Sequence, residues 1–161
     1  MVSNRIKIEM GEGVVARAPS VISVVGLGSC VALILYDTKR RIGGIAHIMF
    51  PNSDNGNVSC TPFQCADTAM RDLLEELRNQ GAHLQDIVAK MAGGSRMFPF
   101  YHDVKQSVGE DNIESIVSLL KREGIPLTGK DVGGNYGRSV EFHLNSGRLM
   151  VITIGRETKE I

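Results

Sequence analysis

Cys30 and His47 are the two residues of this sequence whose types and spacing suit a nucleophile and its base. Cys30 stands at the end of Gly26-Leu27-Gly28-Ser29, a turn between two β-branched apolar runs, which puts its thiol at a strand edge or in a loop. Two glycines so close together imply a backbone with positive φ or the near approach of another chain. His47 sits near the end of the apolar run Ile42 to Met49. Two strands joined by a hairpin set the start of the first beside the end of the second, which brings the imidazole toward the sulfur. A thiol with an imidazole alongside is the minimal form of an activated sulfur nucleophile. Each residue also has a bland explanation, Cys30 as a small buried hydrophobe and His47 as a hydrogen-bonded core histidine, and spacing alone leaves both open.

The elements that must position this pair are readable from periodicity. Val21 to Val25, Val31 to Tyr36 and Ile42 to Met49 read as strands apolar on both sides, expected in the centre of a sheet with both faces covered. Asp37-Thr38-Lys39-Arg40 links the last two as antiparallel neighbours. Ile6 to Glu9 and Val14 to Ala18 precede them as short strands around Gly11-Glu12-Gly13. Pro51 to Ser59 reads as a polar loop beside the histidine. Thr61 as N-cap, Pro62 at the first helical position and Gln64 at the third predict a helix running to about Gln80, with Ala66, Met70, Leu73, Leu74 and Leu77 as its buried stripe. Ile87 to Met91 reads as a strand, and Gly93-Gly94-Ser95 after it as a plain connection in preference to a substrate-contacting loop. Phe98-Pro99-Phe100-Tyr101 is an aromatic cluster suited to packing. Asp111 with Glu114 predicts the start of a second helix, with Ile113, Ile116, Val117 and Leu120 inward and Gly124 as its stop. Strands return at Ile125 to Thr128, Ser139 to Leu144 and Leu149 to Ile154. In the second of these, Val140, Phe142 and Leu144 alternate with Glu141 and His143, giving one buried and one wet face. The expected fold is a strand-rich layered α/β sandwich with helices on its outer faces.

With 161 residues, one domain over 1–161 suffices. Eighteen basic and eighteen acidic residues cancel, so no long-range field draws nucleic acid or an anionic membrane, and a protein partner is the better expectation. No apolar run is long enough to span a bilayer, and the N-terminus lacks the pattern of a secretory signal, so the chain reads as cytoplasmic. Three cysteines cannot all pair within one chain, and an odd count fits a reducing compartment. Cys60 and Cys65 have no second Cys/His pair at zinc spacing, so they read as packing or surface residues; neither metal nor cofactor is expected.

Several segments resemble, in order, those of the chemoreceptor glutamine deamidases, the CheD family of chemotaxis proteins. They are GLGSCVALILYD (Gly26 to Asp37), GGIAHIMFP (Gly43 to Pro51), ADTAMRDLLEEL (Ala66 to Leu77), KMAGGSRMF (Lys90 to Phe98) and DVGGNYGRSVEF (Asp131 to Phe142). The resemblance implies that family's layered cysteine-hydrolase fold and conversion of receptor glutamine side chains to glutamate with release of ammonia. It makes Cys30 the nucleophile and His47 the base. It also implies the cytoplasmic helices of chemoreceptors as substrate and a CheC-type chemotaxis phosphatase as a docking partner. The family's triad is completed by a threonine six positions before the cysteine, and here that position is Val24.

Such chemistry requires a thiolate, oxyanion donors, which the turn into Cys30 can supply from its backbone, and a group that orients the imidazole. Val24 has neither donor nor acceptor. Ser23 is the candidate in its place only if a bulge re-aims it, because adjacent strand residues face opposite ways; a backbone carbonyl is the other holder. The alternative function is a binding module with weakened catalysis that docks a CheC-type phosphatase and receptors.

Overall fold

In the computed structural model, which describes residues 3–54, 59–98 and 107–161, two uninterrupted apolar runs form the centre of one sheet. Strands β4 (Val31–Asp37) and β5 (Ile42–Ile48) are buried at every position and pair antiparallel in the expected register, from Asp37 opposite Ile42 to Val31 opposite Ile48. Strand β1 is Arg5–Ile8, β2 is Gly13–Arg17, β3 is Val21–Leu27 and β6 is Ile87–Gly93. The C-terminal strands are β7 (Leu127–Val132), β8 (Arg138–His143), β9 (Arg148–Ile152) and the short β10 (Lys159–Glu160). They form two five-stranded sheets, ordered β2-β5-β4-β6-β7 and β1-β3-β8-β9-β10.

The alternation of side chains along β4 explains the layering. Val31, Leu33 and Leu35 face the helices, in a core with Met70, Leu73, Leu77, Ile116 and Leu120. Ala32, Ile34 and Tyr36 face the other sheet, in a core with Ile22, Val24, Val140 and Phe142. Helix α1 (Ala66–Asn79) and helix α2 (Val108–Glu123) both pack on the outer face of the β4 sheet. The layered α/β sandwich is present, with its helical layer on one of the two outer faces.

Three details depart from the sequence expectations. The run Val21 to Val25 is not central with both faces covered: β3 lies in the second sheet between β1 and β8, and Val25 on its outer side is 60% exposed. A β-branched run does not reveal how many of its faces meet a partner, and β8 arrives from far along the chain. Helix α1 begins at Ala66 rather than after Thr61, because the residues before it are held by the end of β5. The amides of Met49 and Phe50 both donate to the carbonyl of Gln64, and the Ala66 amide donates to that of Phe50. This parallel bridge keeps Cys65 extended, which a helix cannot accommodate. The Thr61–Gln64 signal forms a turn instead, with the Gln64 side chain accepting from the Thr61 amide at 3.0 Å. Helix α2, conversely, starts earlier than Asp111. Ser107 is its N-cap, accepting from the Glu110 amide while the Glu110 carboxylate accepts from the Ser107 amide, a complete capping box.

Cys60 and Cys65 are joined as a disulfide, their Cα atoms 5.9 Å apart. This corrects their reading as separate packing or surface thiols and leaves Cys30 as the free cysteine. Of the aromatic cluster, Phe98 is 76% exposed and does not pack; Pro99, Phe100 and Tyr101 lie outside the described residues, as does part of the polar loop Pro51 to Ser59.

Candidate active site

The turn carrying Cys30 is fastened to the body of the protein by three successive carbonyls. That of Gly28 accepts from the Ser95 amide at 2.9 Å, that of Ser29 from the Asn112 side chain at 3.0 Å, and that of Cys30 from the Gly94 amide at 2.9 Å. The Gly93-Gly94-Ser95 segment is therefore the clamp on the Cys30 turn, not the plain connection expected from sequence. Glycine is required there: a Cβ on Gly93 would lie 2.3 Å from the Cys30 carbonyl oxygen, and φ at this residue is +111°. The clamp is itself held from behind. Buried Arg138 donates to the hydroxyl of Ser95 at 2.9 Å and to the carbonyl of Gly133 at 2.7 Å, and pairs with Asp131 at 2.6 Å. The Ser95 hydroxyl in turn donates to the carbonyl of Tyr136 at 2.6 Å.

His47 is placed by β5. Its carbonyl accepts from the Gly11 amide and its own amide donates to Glu12, which extends the β2–β5 pairing past Gly13. It sits opposite Ala32 in the ladder, and Ala32 faces the space between the sheets. Cys30, two residues before Ala32, packs against that same inter-sheet core. Cys30 and His47 therefore lie at the same end of the sandwich, with Cys30 one residue beyond the ladder that contains His47, and the thiol is not hydrogen-bonded to either ring nitrogen.

Burial acts on both groups. It pushes the Cys30 thiol up, against a smaller downward pull from the residue's own backbone N–H facing the sulfur. It pushes the His47 imidazole down, with the charge of Glu9 pulling part of the way back. Each shift favours the neutral form of its group, thiol and imidazole alike. His47 is 2% exposed, and neither ring nitrogen has a hydrogen-bond partner among the described residues.

The candidate orienting residue Ser23 faces away from this pair. Its neighbours Ile22 and Val24 point into the inter-sheet core, and its hydroxyl donates to the Ile6 carbonyl at 3.5 Å on the opposite side. The irregularity in β3 falls after Val24, between Val24 and Leu27, too late to turn Ser23 inward. Val24 is fully buried and faces the core. No backbone carbonyl among the described residues holds the imidazole either. His83, bonded to Arg40 at 2.9 Å, and His143, on the wet face of β8 beside Glu141, belong to other regions. The cleft of about 570 Å³ lined by Asp67, Arg71, Glu75 and Arg122 lies on the helical layer rather than at Cys30.

Three residues that shape the site, Ser95, Asn112 and Arg138, were not singled out by the sequence reading. Ser95 and Arg138 fall in segments that carry the family resemblance, whereas Asn112 has no signal except its place in a helix face.

The family model described as CheD chemotactic sensory transduction matches residues 49–153. A probable chemoreceptor glutamine deamidase CheD of Caldanaerobacter subterraneus subsp. tengcongensis is 37% identical, covering all of both chains. The chemoreceptor glutamine deamidase CheD of Thermotoga maritima is 40% identical over 96% of this chain and 98% of its own. Among solved structures, the hypothetical protein YfiH of Bacillus licheniformis overlaps 77% of this chain and 50% of its own at 17% identity, with a TM-score of 0.45. On the full-length identity with these relatives and the family match over most of its length, this chain belongs to the CheD family.

Proposed function

We propose that this protein converts specific glutamine side chains of chemoreceptors to glutamate, with Cys30 as nucleophile and His47 as general base. The observation that supports the proposal is that Cys30, the free cysteine, packs against the inter-sheet core two residues before Ala32, the residue that pairs with His47 in the ladder. His47 takes the thiol proton as the sulfur attacks the side-chain amide carbon, and the carbonyl oxygen gathers negative charge. The backbone N–H of Cys30, already facing the sulfur, is a donor for that oxyanion. Collapse of the tetrahedral intermediate breaks the C–N bond, and the imidazolium returns its proton to the departing ammonia. Water, deprotonated by His47, then opens the thioester to glutamate and regenerates the thiol.

The substrate in this reading is a chemoreceptor, in keeping with the relatives' names as chemoreceptor glutamine deamidases; the reading places the target glutamines on the receptor's cytoplasmic helices and the protein in the cytoplasm. Mass spectrometry of a receptor fragment incubated with the protein tests it: each conversion adds about one dalton, from NH₂ to OH, and a wild-type protein that leaves every glutamine unchanged overturns it.

One observation favours a second reading. With Val24 apolar and neither nitrogen of His47 partnered among the described residues, no described group fixes the imidazole's tautomer, which weakens catalysis and gives more weight to docking of a CheC-type phosphatase. In that case a CheC-type protein binds tightly while the wild-type rate of ammonia release stays near that of Cys30→Ser.

A further inference from the structure

The β4–β5 ladder ends at Val31 opposite Ile48, one residue short of where the chemistry sits. Beyond that pair the two strands are drawn apart. Met49 and Phe50 turn toward the start of α1, donating to Gln64, while Cys30 turns toward β6, its carbonyl taken by Gly94. The separation of sulfur and imidazole is therefore not fixed by the ladder. Asn112 spans the gap. It is fully buried, and its single side-chain nitrogen donates both hydrogens across it, one to the carbonyl of Ser29 at 3.0 Å and one to that of Met49 at 3.2 Å. A primary amide is the short neutral side-chain group that offers two hydrogens from one atom. Its oxygen is buried with no hydrogen-bond partner among the described residues, a cost that packing for stability alone would avoid. The helix bearing it is seated directly against the clamp: a Cβ on Gly109 would lie 2.6 Å from the Gly94 carbonyl.

We propose that Asn112 is a positioning residue that sets the distance between the Cys30 turn and the end of the His47 strand, replacing the missing last rung of the ladder. The inference rests on the reading of Cys30 and His47 as a reacting pair, and the test separates the two. Cys30 alkylation by iodoacetamide is followed against pH in the wild type, His47→Ala, Asn112→Ala and the double variant, together with kcat and KM on a receptor fragment. Asn112→Ala is expected to slow alkylation at pH 7 by about as much as His47→Ala. It should lower kcat on the order of a hundredfold, as an ångström of misplacement does, with KM within about twofold. The double variant should alkylate no more slowly than His47→Ala alone, because two changes acting through one contact are not additive. Asn112→Ser, with one hydrogen for two carbonyls, should fall between wild type and Asn112→Ala. An unchanged alkylation profile in Asn112→Ala, or slowing that multiplies in the double variant, overturns the proposal; so does failure of both Asn112 variants to fold, since the residue would then serve the fold at large. Equal alkylation of wild type and His47→Ala overturns the pairing itself, and the positioning role with it.

Discussion

The two ends of the β4–β5 pair are made of similar strand and treat buried polar groups in opposite ways. At the hairpin end, Asp37 is fully buried and satisfied on every side. Its carboxylate accepts from the amides of Lys39, Arg40 and His83 and from the Arg40 guanidinium, at 2.9–3.1 Å. Burial alone would push this carboxyl up, but those donors outweigh it and hold it below the ordinary range. At the other end, His47 is as deeply buried and has no partner among the described residues. A paired buried group stabilises its native arrangement; an unpaired one keeps its lone pair available for reaction at a cost in stability. The hairpin end reads as structural, and the other is the end at which the proposed chemistry would take place.

The sharpest way to break this contrast is at Cys30. Cys30→Ser is expected to lower the rate of glutamine deamidation by more than about a thousandfold, because a hydroxyl is far less ionised than a thiol at neutral pH, with a melting temperature close to that of the parent. Retained ammonia release in that variant would mean the reactive end has been misplaced. Asp37→Ala should do the reverse. Removing one member of a buried, bonded group strands its partners, and a loss of about 3 kcal/mol in chemical denaturation is expected, with Cys30 alkylation in the remaining folded protein unchanged.

His47→Leu sharpens the comparison further: it removes an unsatisfied buried group and should raise stability by about 1 kcal/mol while abolishing activity. A variant less stable than the parent would show that the imidazole is satisfied in solution. The two ends also separate by pH. The imidazole of His47 is depressed in the folded state, so below about pH 6.5 the unfolded chain binds the proton first and stability falls with acid until the folded group titrates. The carboxyl of Asp37 is depressed too, and its contribution, present above about pH 3.9, is lost as pH falls through its lower folded value. Denaturation curves between pH 7 and 5 should therefore slope in the wild type and flatten in His47→Leu, while both should fall below pH 4.

The smallest effect is expected at Val24, which faces the same inter-sheet core as Ala32, the residue paired with His47 in the ladder. Val24→Thr keeps the shape of the side chain and offers the imidazole a hydroxyl, so kcat should rise several-fold with little loss of melting temperature. A protein clearly destabilised and no faster would show that this position does not reach the ring.

What was legible in the sequence follows from range. The β4–β5 pairing needs only one hairpin, and its register follows from apolar runs whose slippage would turn a core face outward. The alternation of Val140 and Phe142 with Glu141 and His143 is equally local and appears as read. The start of α2 was readable in principle: Ser107 and Asp111 are each followed three residues later by a glutamate, and the earlier pair forms the cap. That choice matters, because the extra turn carries Gly109, which packs against Gly94. The start of α1 was not readable, since it is decided by Phe50 pairing with Cys65. The same holds for the grip of Arg138 on Ser95 and Gly93, contacts that exist only once distant segments meet.

The clamp on the Cys30 turn gives the reactive thiol a temporal property. Gly94, Ser95 and Asn112, which fix its carbonyls, lie 60 or more residues downstream, and Arg138, which braces them, is further still. A chain emerging from the ribosome thus exposes Cys30 and His47 long before the segments that hold them. Loop closures of this length come late in folding. Until α2 and β8 dock, the Cys30 turn lacks the partners that hold its carbonyls, so the geometry proposed for the thiol is completed by the C-terminal half of the chain.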